Sequence, residues 1–544
     1  MAARPVTWLL LLCAVNFAFM LGGHSLWDVD EPNNAVCARE MLAAGNWWVP
    51  VFNGDLRFDK PILLYWLMMP LFHVFGVHEW TARLPSVMAI SSLVLVVFYF
   101  GRRMADVRTG LIAALLLVSS LHIVVIARAA TPDPLLMLCI GFALSAFLCF
   151  YLEEMENYRL LIAAYVMLGF GVLAKGPVAI LLPALVMLVF LLMMGQRENI
   201  RKFRPVIGLC VILAVALPWY ITVGVLTDGE WLKGFLLHHN IDRFTGTLQG
   251  HRGFPGFYIL TFLGGWFPWS GLLAAALGLG AWKRATLQKQ PVRLFLLCWI
   301  GVFFIFFTLA STRLPNYMLP AFPAAALMMA FWIRGHEEQA GNWLTRGALA
   351  LSFSVIVGAG IALQIQWPGE WVYALCFLPL FIATFASIRL KLERSIPMIA
   401  AGMAASVIFL AGWGLPVFEH HKVTPELAAA ANRAGFDGKS LATFRYFQPS
   451  LLYYHGGRLP MLANMHDVSV WLMQGKAVVL PQGALAEFPS AILPYLVIHK
   501  RSFGMVARKW LLLVSYPVKE HTISESGRDV RQGARMRDWQ SQFK

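Results

Sequence analysis

Charged residues are scarce in this chain: they make up 13% of its 544 residues, against roughly 25% in a typical soluble domain. Apolar residues reach 59% and gather in runs of the length that a helix needs to cross about 30 Å of hydrocarbon. This excludes a soluble globular protein and predicts a polytopic α-helical membrane protein with about thirteen transmembrane helices. The predicted spans are 5–23, 84–101, 110–127, 134–152, 160–174, 177–194, 205–224, 256–281, 293–311, 316–333, 347–365, 371–388 and 397–416.

Acids are fewer than bases, 29 against 44, and the basic residues fall in alternate loops. The positive-inside rule then places the N-terminus in the cytoplasm and everything after Phe418 outside. A cleaved signal sequence is the alternative for the first span, but its length and its single basic flank, Arg4, favour a retained helix. No basic patch alternates with stacking aromatic residues on a soluble face, so no nucleic-acid partner is expected.

Cysteine is also scarce, with seven residues, and none follows position 418. No disulfide framework can therefore support the C-terminal region. Its composition predicts a small periplasmic α/β domain over 418–523, with helices at 425–434 and 449–454 and strands at 440–444, 476–480 and 510–515. The basic tail 524–544 is predicted to be disordered. Residues 1–417 form the predicted transmembrane catalytic domain, with a first outer loop at 24–83.

Carboxylates gather in this first outer loop, at Asp30, Glu31 and Asp59, and a further one, Asp133, lies in the next outer turn. An ionisable group in hydrocarbon costs at least about 2.5–3.5 kcal/mol, so these acids must face water. A merely solvated loop is the plain alternative. Aromatic residues and prolines bracket the acids, however, and an apolar stretch follows at once, which predicts a cleft at the membrane surface.

Cations follow in the later outer loops, at Lys175, Arg243 and Arg313. Cations at a membrane surface suit a lipid-linked phosphate, and neighbouring carboxylates suit a general base or a metal site. Simpler readings stay open here: Asp133 could cap a helix, Lys175 could snorkel, and the adjacent histidines at 238 and 239 are a weak zinc signal. Together these residues predict transfer of a group from an anionic lipid carrier.

Seven motifs in order resemble the 4-amino-4-deoxy-L-arabinose lipid A transferase family, a bacterial branch of the protein O-mannosyltransferase-like glycosyltransferases of the GT-C type. The similarity runs in register from about residue 8 to 335. The motifs are Asp30-Glu31 followed by Arg39-Glu40-Met41, Phe58-Asp59-Lys60-Pro61, Tyr65-Trp66, Lys175-Gly176-Pro177, His238-x-Asn240-x-x-Arg243-Phe244, Phe267-Pro268-Trp269-Ser270 and Leu314-Pro315-x-Tyr317-x-x-Pro320.

The resemblance implies inverting transfer of a sugar, aminoarabinose or another pentose or hexose, from a polyprenyl phosphate. The acceptor would be lipid A or another envelope component, at the periplasmic face of the bacterial inner membrane. Asp30 and Glu31 would be catalytic, and Asp59 and Asp133 can hold a divalent metal ion in such a site. The substrate-binding residues that it implies are Asp59, Lys60, Lys175, His238, Arg243, Arg313 and Tyr317.

Two alternatives remain at this point. A transporter or flippase for a polyprenyl-linked sugar would also need a cationic groove, but its ionisable residues should lie near the membrane midplane in two related halves. Here they lie in outer loops, and no inverted repeat is visible. The second alternative is a related glycosyltransferase that acts on a protein or a growing glycan.

Overall fold

The computed structural model describes residues 3–236, 256–278, 287–335, 350, 354, 357–358, 361, 364, 371–387, 390, 392–488, 493, 496–504 and 509–516. The chain divides into two compact units. One contains Met1–Leu26 and Cys37–Val417, and the other contains Trp27–Val36 and Phe418–Lys544. The short segment Trp27–Val36 therefore groups with the C-terminal unit, whereas the sequence placed all of 24–83 in the transmembrane domain.

Helices make up most of the chain before Phe418. In order they are α1 (Ala3–Cys13, extended by a π-turn at Ala14–Ala18), α2 (Asp30–Ala43), α3 (Leu63–Phe75), α4 (Glu79–Met104), α5 (Val107–Val118), α6 (Leu121–Ala127), α7 (Asp133–Leu152), α8 (Tyr158–Lys175), α9 (Val178–Met194), α10 (Pro205–Leu226), α11 (Glu230–Lys233), α12 (Phe257–Gly265), α13 (Ser270–Gly278), α14 (Pro291–Leu309), α15 (Phe322–Gly335), α16 (Trp371–Leu375), α17 (Leu378–Ser387), α18 (Leu392–Phe409) and α19 (Leu415–Phe418). Short 3₁₀ helices precede α10 at Arg197–Phe203 and α15 at Pro315–Ala321.

Within the described residues, seven helices are long and apolar enough to cross a membrane, or eight if a bent pair counts as one span. The seven are Glu79–Met104, Asp133–Leu152, Tyr158–Lys175, Arg197–Leu226, Pro291–Leu309, Pro315–Gly335 and Arg394–His421. Four further apolar helices are shorter, at Pro5–Ala18, Leu63–Phe75, Val178–Met194 and Tyr373–Ser387. A multi-pass membrane protein is thus confirmed, while the number thirteen stays a prediction. The predicted span 347–365 lies mostly outside the described residues.

Three predicted features differ in detail. The span predicted at 110–127 is two helices, α5 and α6, which meet at a bend of 68°. The span predicted at 256–281 is likewise divided, because α12 ends at Gly265 and α13 begins at Ser270. The outer loop 24–83 contains the apolar helix α3, which was not predicted as a span. At about 1.5 Å per residue its 13 residues fall short of 30 Å of hydrocarbon.

A buried arginine fixes the chain where it leaves the first span. Arg83 of α4 is completely buried, and its guanidinium donates to the carbonyl oxygens of Leu21 at 2.7 Å, His24 at 3.0 Å and Ser25 at 3.0 Å. Carbonyl groups beyond the end of a helix lack intrahelical partners, and burying them unpaired is costly. Arg83 therefore stabilises the start of the first outer loop.

Beyond Phe418 the chain forms α20 (Val423–Arg433), α21 (Pro449–His455) and α22 (Met465–Met473) around a sheet. A separate hairpin in the first outer loop pairs β1 (Val51–Phe52) with β2 (Asp55–Leu56). The C-terminal strands are β3 (Leu441–Phe444), β4 (Met461–Leu462), β5 (Ala477–Pro481), β6 (Val497–Gly504) and β7 (Lys509–Ser515). Their order is β4-β3-β5-β7-β6, with β3 parallel to β4 and β5, and with β7 antiparallel to β5 and β6.

The predicted helices and strands of this C-terminal region are confirmed to within a few residues, and α22, β4 and β6 were missed. Strands β3 and β5 are buried along their whole length, which explains why they read as unbroken apolar runs. Leu512 and Val514 of β7 pack with Phe444, Val478 and Leu480 in the core.

Candidate active site

Lys175, Asp133 and Tyr317 meet at the end of α8. The Lys175 ammonium donates to the Asp133 carboxylate in a short ion pair, and its Nζ lies 5.5 Å from the centre of the Tyr317 ring. The side chains of Lys175 and Asp133 keep only 18% and 12% of their accessible surface. Such a cation over an aromatic face and beside a carboxylate is held in place on two sides.

The local sequence explains this placement. Lys175 is the last residue of α8, and the next residue, Gly176, has φ of +86°, which glycine adopts without a Cβ penalty. Its N–H donates to the Val172 carbonyl at 2.8 Å, and Pro177 then opens α9. The two predicted helices on either side of this turn are confirmed as separate elements.

These contacts decide between the alternatives left by the sequence. Asp133 is the first residue of α7, but the described helix start has no side-chain cap hydrogen bond, and its N-cap position is Pro132. The carboxylate therefore serves Lys175 rather than the helix end. Lys175 in turn does not merely extend towards water, because its ammonium is held by the Asp133 carboxylate and faces the Tyr317 ring.

The motif at 58–61 lies in the irregular loop between β2 and α3. Arg57, of which 6% is exposed, places its Nη2 3.6 Å from the Asp59 Oδ2. Lys60 is partly exposed beside it. The sequence motifs give Arg57 no role, and the structure places its guanidinium next to the Asp59 carboxylate.

The Asp-Glu motif opens α2, and the two acids differ in exposure. Asp30 is exposed, whereas Glu31 keeps 2% of its surface and accepts the Trp27 N–H at 2.8 Å through Oε2. Acids in the first turn also suit the positive end of the helix dipole. The structure thus gives Glu31 a structural contact, and its catalytic role stays a prediction.

Asp28 was given no role from the sequence, and the structure shows its carboxylate hydrogen-bonded to Ser450. Its Oδ1 accepts the Ser450 N–H at 2.9 Å, and its Oδ2 accepts the Ser450 hydroxyl. Burial raises the pKa of the Asp28 carboxyl above its ordinary value, and the bonds from Ser450 and the charge of Lys422 act against that rise. No local motif signals this pairing, because Ser450 is remote in the sequence.

The remaining predicted residues are not gathered in the same way. Arg313 donates from Nη2 to the Thr308 carbonyl at 3.1 Å. His238 and Arg243 lie outside the described residues. Their predicted contacts with the donor therefore stay predictions.

A divalent metal ion requires several oxygen ligands with charge to spare. Among the described residues, no group of three or more His, Cys, Asp or Glu side chains is placed to hold a metal ion. The two predicted ligands each lie against a cation, Asp133 against Lys175 and Asp59 against Arg57. This donor set does not fit a divalent ion, and metal binding stays a prediction of the resemblance alone.

Comparisons with known proteins agree with this arrangement. A family model described as dolichyl-phosphate-mannose-protein mannosyltransferase matches residues 59–221. The undecaprenyl phosphate-alpha-4-amino-4-deoxy-L-arabinose arabinosyl transferase of Pectobacterium atrosepticum is 30% identical, over 75% of this chain and 76% of the relative. The enzyme of the same description from Pseudomonas paraeruginosa is 31% identical, over 78% and 76%.

Among solved structures, ArnT from Cupriavidus metallidurans bound to undecaprenyl phosphate superposes with a TM-score of 0.77. The match covers 95% of this chain and 100% of that chain at 19% identity, and it shows a shared GT-C fold. The transporter alternative loses its support, because the matched relatives are transferases and the match extends over most of their length. The chain is a glycosyltransferase and belongs to the undecaprenyl phosphate-alpha-4-amino-4-deoxy-L-arabinose arabinosyl transferase family.

Proposed function

We propose that this enzyme transfers 4-amino-4-deoxy-L-arabinose from undecaprenyl phosphate to lipid A at the periplasmic face of a bacterial inner membrane. The observation that carries the proposal is the Lys175 ammonium, held by Asp133 and Tyr317 at the end of a membrane-type helix. Asp133 and Tyr317 fix the position of this charge, and an ammonium has three N–H donors. The donors that Asp133 does not use can bind a lipid-linked phosphate.

The chemistry follows from where charge develops. Displacement at the anomeric carbon passes through an oxocarbenium-like state, and the leaving phosphate gains negative charge as the bond breaks. Cations that are in place before the reaction begins stabilise such charge, and we assign this role to Lys60, Lys175 and Arg243. The ion pair with Asp133 keeps the Lys175 ammonium pointed at a fixed position, so little reorganisation is needed.

Asp30 takes the other role in this proposal. A lipid phosphate acceptor has a second pKa of about 6 and is already anionic at neutral pH, so Asp30 need only orient it. A hydroxyl acceptor must lose a proton, and Asp30 would then be the general base. The exposed position of Asp30 at the start of α2 leaves its carboxylate available for either task.

We also propose the topology predicted from the loops: about thirteen spans, a cytoplasmic N-terminus, and a periplasmic active site and C-terminal domain. A periplasm-active reporter fused after Phe418 should be active, and one fused near Arg201 should not. The reverse pattern would overturn the orientation. The proposed domains are 1–417 for catalysis, 418–523 for the α/β domain and 524–544 for the tail.

The test of function is the lipid A of cells with and without this gene, compared by mass spectrometry. The proposal expects lipid A phosphates that carry aminoarabinose only when the gene is intact. Complementation with the wild-type gene should restore the modified species, and complementation with Asp30→Asn should not. A different added sugar, or unchanged lipid A with an altered envelope glycan or glycoprotein, would replace the proposed donor or acceptor.

A further inference from the structure

A short aromatic segment lies against both of the turns that carry the predicted phosphate-binding lysines. It begins in α11 and continues to Phe235. On one side Trp231, which is completely buried, donates from its indole Nε1 to the Arg57 carbonyl at 2.6 Å. Arg57 precedes the Asp59-Lys60 pair in the loop between β2 and α3. This bond therefore holds the backbone that leads into Lys60.

The next turn of the segment meets the same loop. A Cβ at Gly234 would lie 2.6 Å from the Phe58 ring at Cδ1. The backbone of Gly234 is helical, with φ of −59°, so the absent side chain serves close contact rather than an unusual conformation. The segment therefore packs directly on the residue before Asp59.

The other side of the segment meets the Lys175 turn. A Cβ at Gly176 would lie 2.7 Å from the Phe235 Cζ, so the Phe235 ring rests on the backbone next to Lys175. Tyr220 of α10 donates its hydroxyl to the Val172 carbonyl at 3.3 Å, one helical turn before Lys175. The backbone before Lys175 thus contacts Tyr220, and the backbone after it contacts Phe235. Tyr220 and Phe235 belong to one aromatic cluster.

The aromatic rings pack tightly on one another. Trp231 and Phe235 stack with ring centres 4.9 Å apart and an angle of 23°, and Trp219 meets Trp231 edge-on at 4.9 Å. Large buried rings have few rotamers and resist compression. The stack of Trp231 and Phe235 touches both backbones and therefore sets the distance between them, whereas Trp219 touches only Trp231 within this pair.

We propose that Trp231 and Phe235 are positioning residues that fix the separation of Lys60 and Lys175. The inference rests on the proposed function, in which both lysines bind one donor phosphate. Charge-assisted hydrogen bonds depend on geometry, and two cations can contact a phosphate together only if their separation suits it. Neither aromatic residue is proposed to touch the donor.

The sharpest variant is Trp231→Phe, which removes the indole N–H and keeps a buried aromatic ring. The Arg57 carbonyl then loses its bond, and the Lys60 backbone is less restrained. We expect undecaprenyl phosphate to bind about fivefold more weakly, the loss expected for one neutral hydrogen bond. The KM for the donor should rise by a similar factor, and kcat should fall as well, because a displaced Lys60 stabilises the charge on the leaving phosphate less well.

The matched control is Trp219→Phe. Trp219 is equally buried, belongs to the same cluster and donates its own indole N–H at 3.0 Å. Its acceptor is the Trp48 carbonyl, which precedes the β1–β2 hairpin, whereas the acceptor of Trp231 follows that hairpin and leads directly into Lys60. The control should lower the thermal stability to a similar extent and leave donor binding within twofold of wild type.

The experiment measures the Kd for undecaprenyl phosphate, the donor KM and kcat, and Tm for the full-length chain in nanodiscs. Equal effects of Trp231→Phe and Trp219→Phe on Kd, or no effect of Trp231→Phe, would overturn the inference. A wild-type protein that does not bind undecaprenyl phosphate would overturn the proposed function as well, so the two failures are distinguishable.

A second pair of variants covers the case in which Trp231→Phe fails to fold. Gly234→Ala adds one methyl group against Phe58, whereas Gly264→Ala adds one where no heavy atom lies within 4 Å among the described surroundings. Gly234→Ala should weaken undecaprenyl phosphate binding several-fold, and Gly264→Ala should not. Identical binding by the two variants would contradict the inference.

Discussion

The carboxylates at the start of α2 and the carboxylate at the start of α7 stand in opposite surroundings. Asp30 is exposed, and within the described part of the chain its side chain makes no hydrogen bond or ion pair. The Asp133 side chain keeps 12% of its accessible surface and is bound to Lys175. Both begin a helix, yet only one is left free of a cation.

This difference separates two uses of an acid. A carboxylate paired with lysine holds the lysine where a phosphate can reach it. An exposed carboxylate without such a partner can orient or deprotonate an acceptor. The neighbours of Asp30 make the same point, because Asp28 and Glu31 are already occupied by Ser450 and by the Trp27 N–H.

The largest effect is expected from Asp30→Asn. The variant keeps the size of the side chain and removes its charge. A phosphate acceptor is then no longer oriented, and transfer should fall by about 10²-fold; with a hydroxyl acceptor the loss of the general base should lower transfer by about 10²- to 10⁴-fold. Donor binding should stay close to wild type, because the phosphate site is untouched. The measurement is transfer by purified enzyme in nanodiscs, together with the Kd for undecaprenyl phosphate.

Asp55→Asn is the matched control for this prediction. Asp55 is an exposed acid of the β1–β2 hairpin in the same outer loop, and its loss should leave transfer unchanged. Near-normal transfer by Asp30→Asn would remove Asp30 from catalysis and end the distinction between the two acids.

The next largest effect is expected from Lys175→Ala. Loss of one charge-assisted contact is worth roughly 1.5–3 kcal/mol, so undecaprenyl phosphate should bind about 10- to 150-fold more weakly. Lys175→Arg should not restore binding, because a planar guanidinium does not replace a point charge in a tight turn. Binding is measured with purified variants in nanodiscs.

Lys233→Ala controls for the loss of a positive charge near the same surface. Lys233 is an exposed lysine of α11, and its removal should change binding by less than twofold. If Lys175→Ala binds the donor as tightly as this control, then the pair with Asp133 is only structural and the phosphate site lies elsewhere.

The sequence predicted the elements that depend on local pattern. The break between α8 and α9 follows from Lys175-Gly176-Pro177, since glycine admits the positive φ and proline starts the next helix. The C-terminal strands follow from apolar runs. The short apolar helix α3 was not predicted as a span for the same reason, because its 13 residues are fewer than a helix needs to cross the hydrocarbon.

What the sequence could not predict are contacts between distant residues. Asp28 and Ser450 are 422 positions apart, and no spacing rule links them. The contact of Trp231 with the Arg57 carbonyl is equally invisible, because any buried tryptophan has the same appearance in a sequence. Asp133 and Lys175 are 42 positions apart and meet because α7 packs against α8.

A smaller effect is expected from Ser450→Ala, which removes one of the two donors to Asp28 and keeps the backbone N–H. Because Asp28 lies just before α2, a looser anchor should disturb the orientation of Asp30. Transfer should fall about fivefold, the effect expected for the lost bond to Asp28, with the Kd for undecaprenyl phosphate unchanged. The variant also loses the hydrogen bond between the Ser450 and Thr424 hydroxyls at 2.6 Å, which should lower Tm.

Ser469→Ala is the control, since this buried serine bonds only to the Met465 carbonyl of its own helix at 2.9 Å. It should keep full transfer. A drop in donor binding with Ser450→Ala, instead of a drop in turnover, would show that the two acid regions are not independent in function.

The smallest effect concerns the stability of Asp28→Asn as a function of pH. Burial raises the pKa of the Asp28 carboxyl above its ordinary value, so the folded state holds this proton more firmly than the unfolded state. The stability that the group contributes is therefore complete below about pH 4 and is lost as pH rises through the folded pKa. Asparagine has no such loss, so the Tm of the variant should rise relative to wild type as pH increases above about 4. Thermal unfolding of both proteins across this range measures the difference. A Tm of the variant that instead falls relative to wild type as pH rises would mean that Ser450 and Lys422 outweigh burial. Asp28 would then be held as a charged partner, like Asp133.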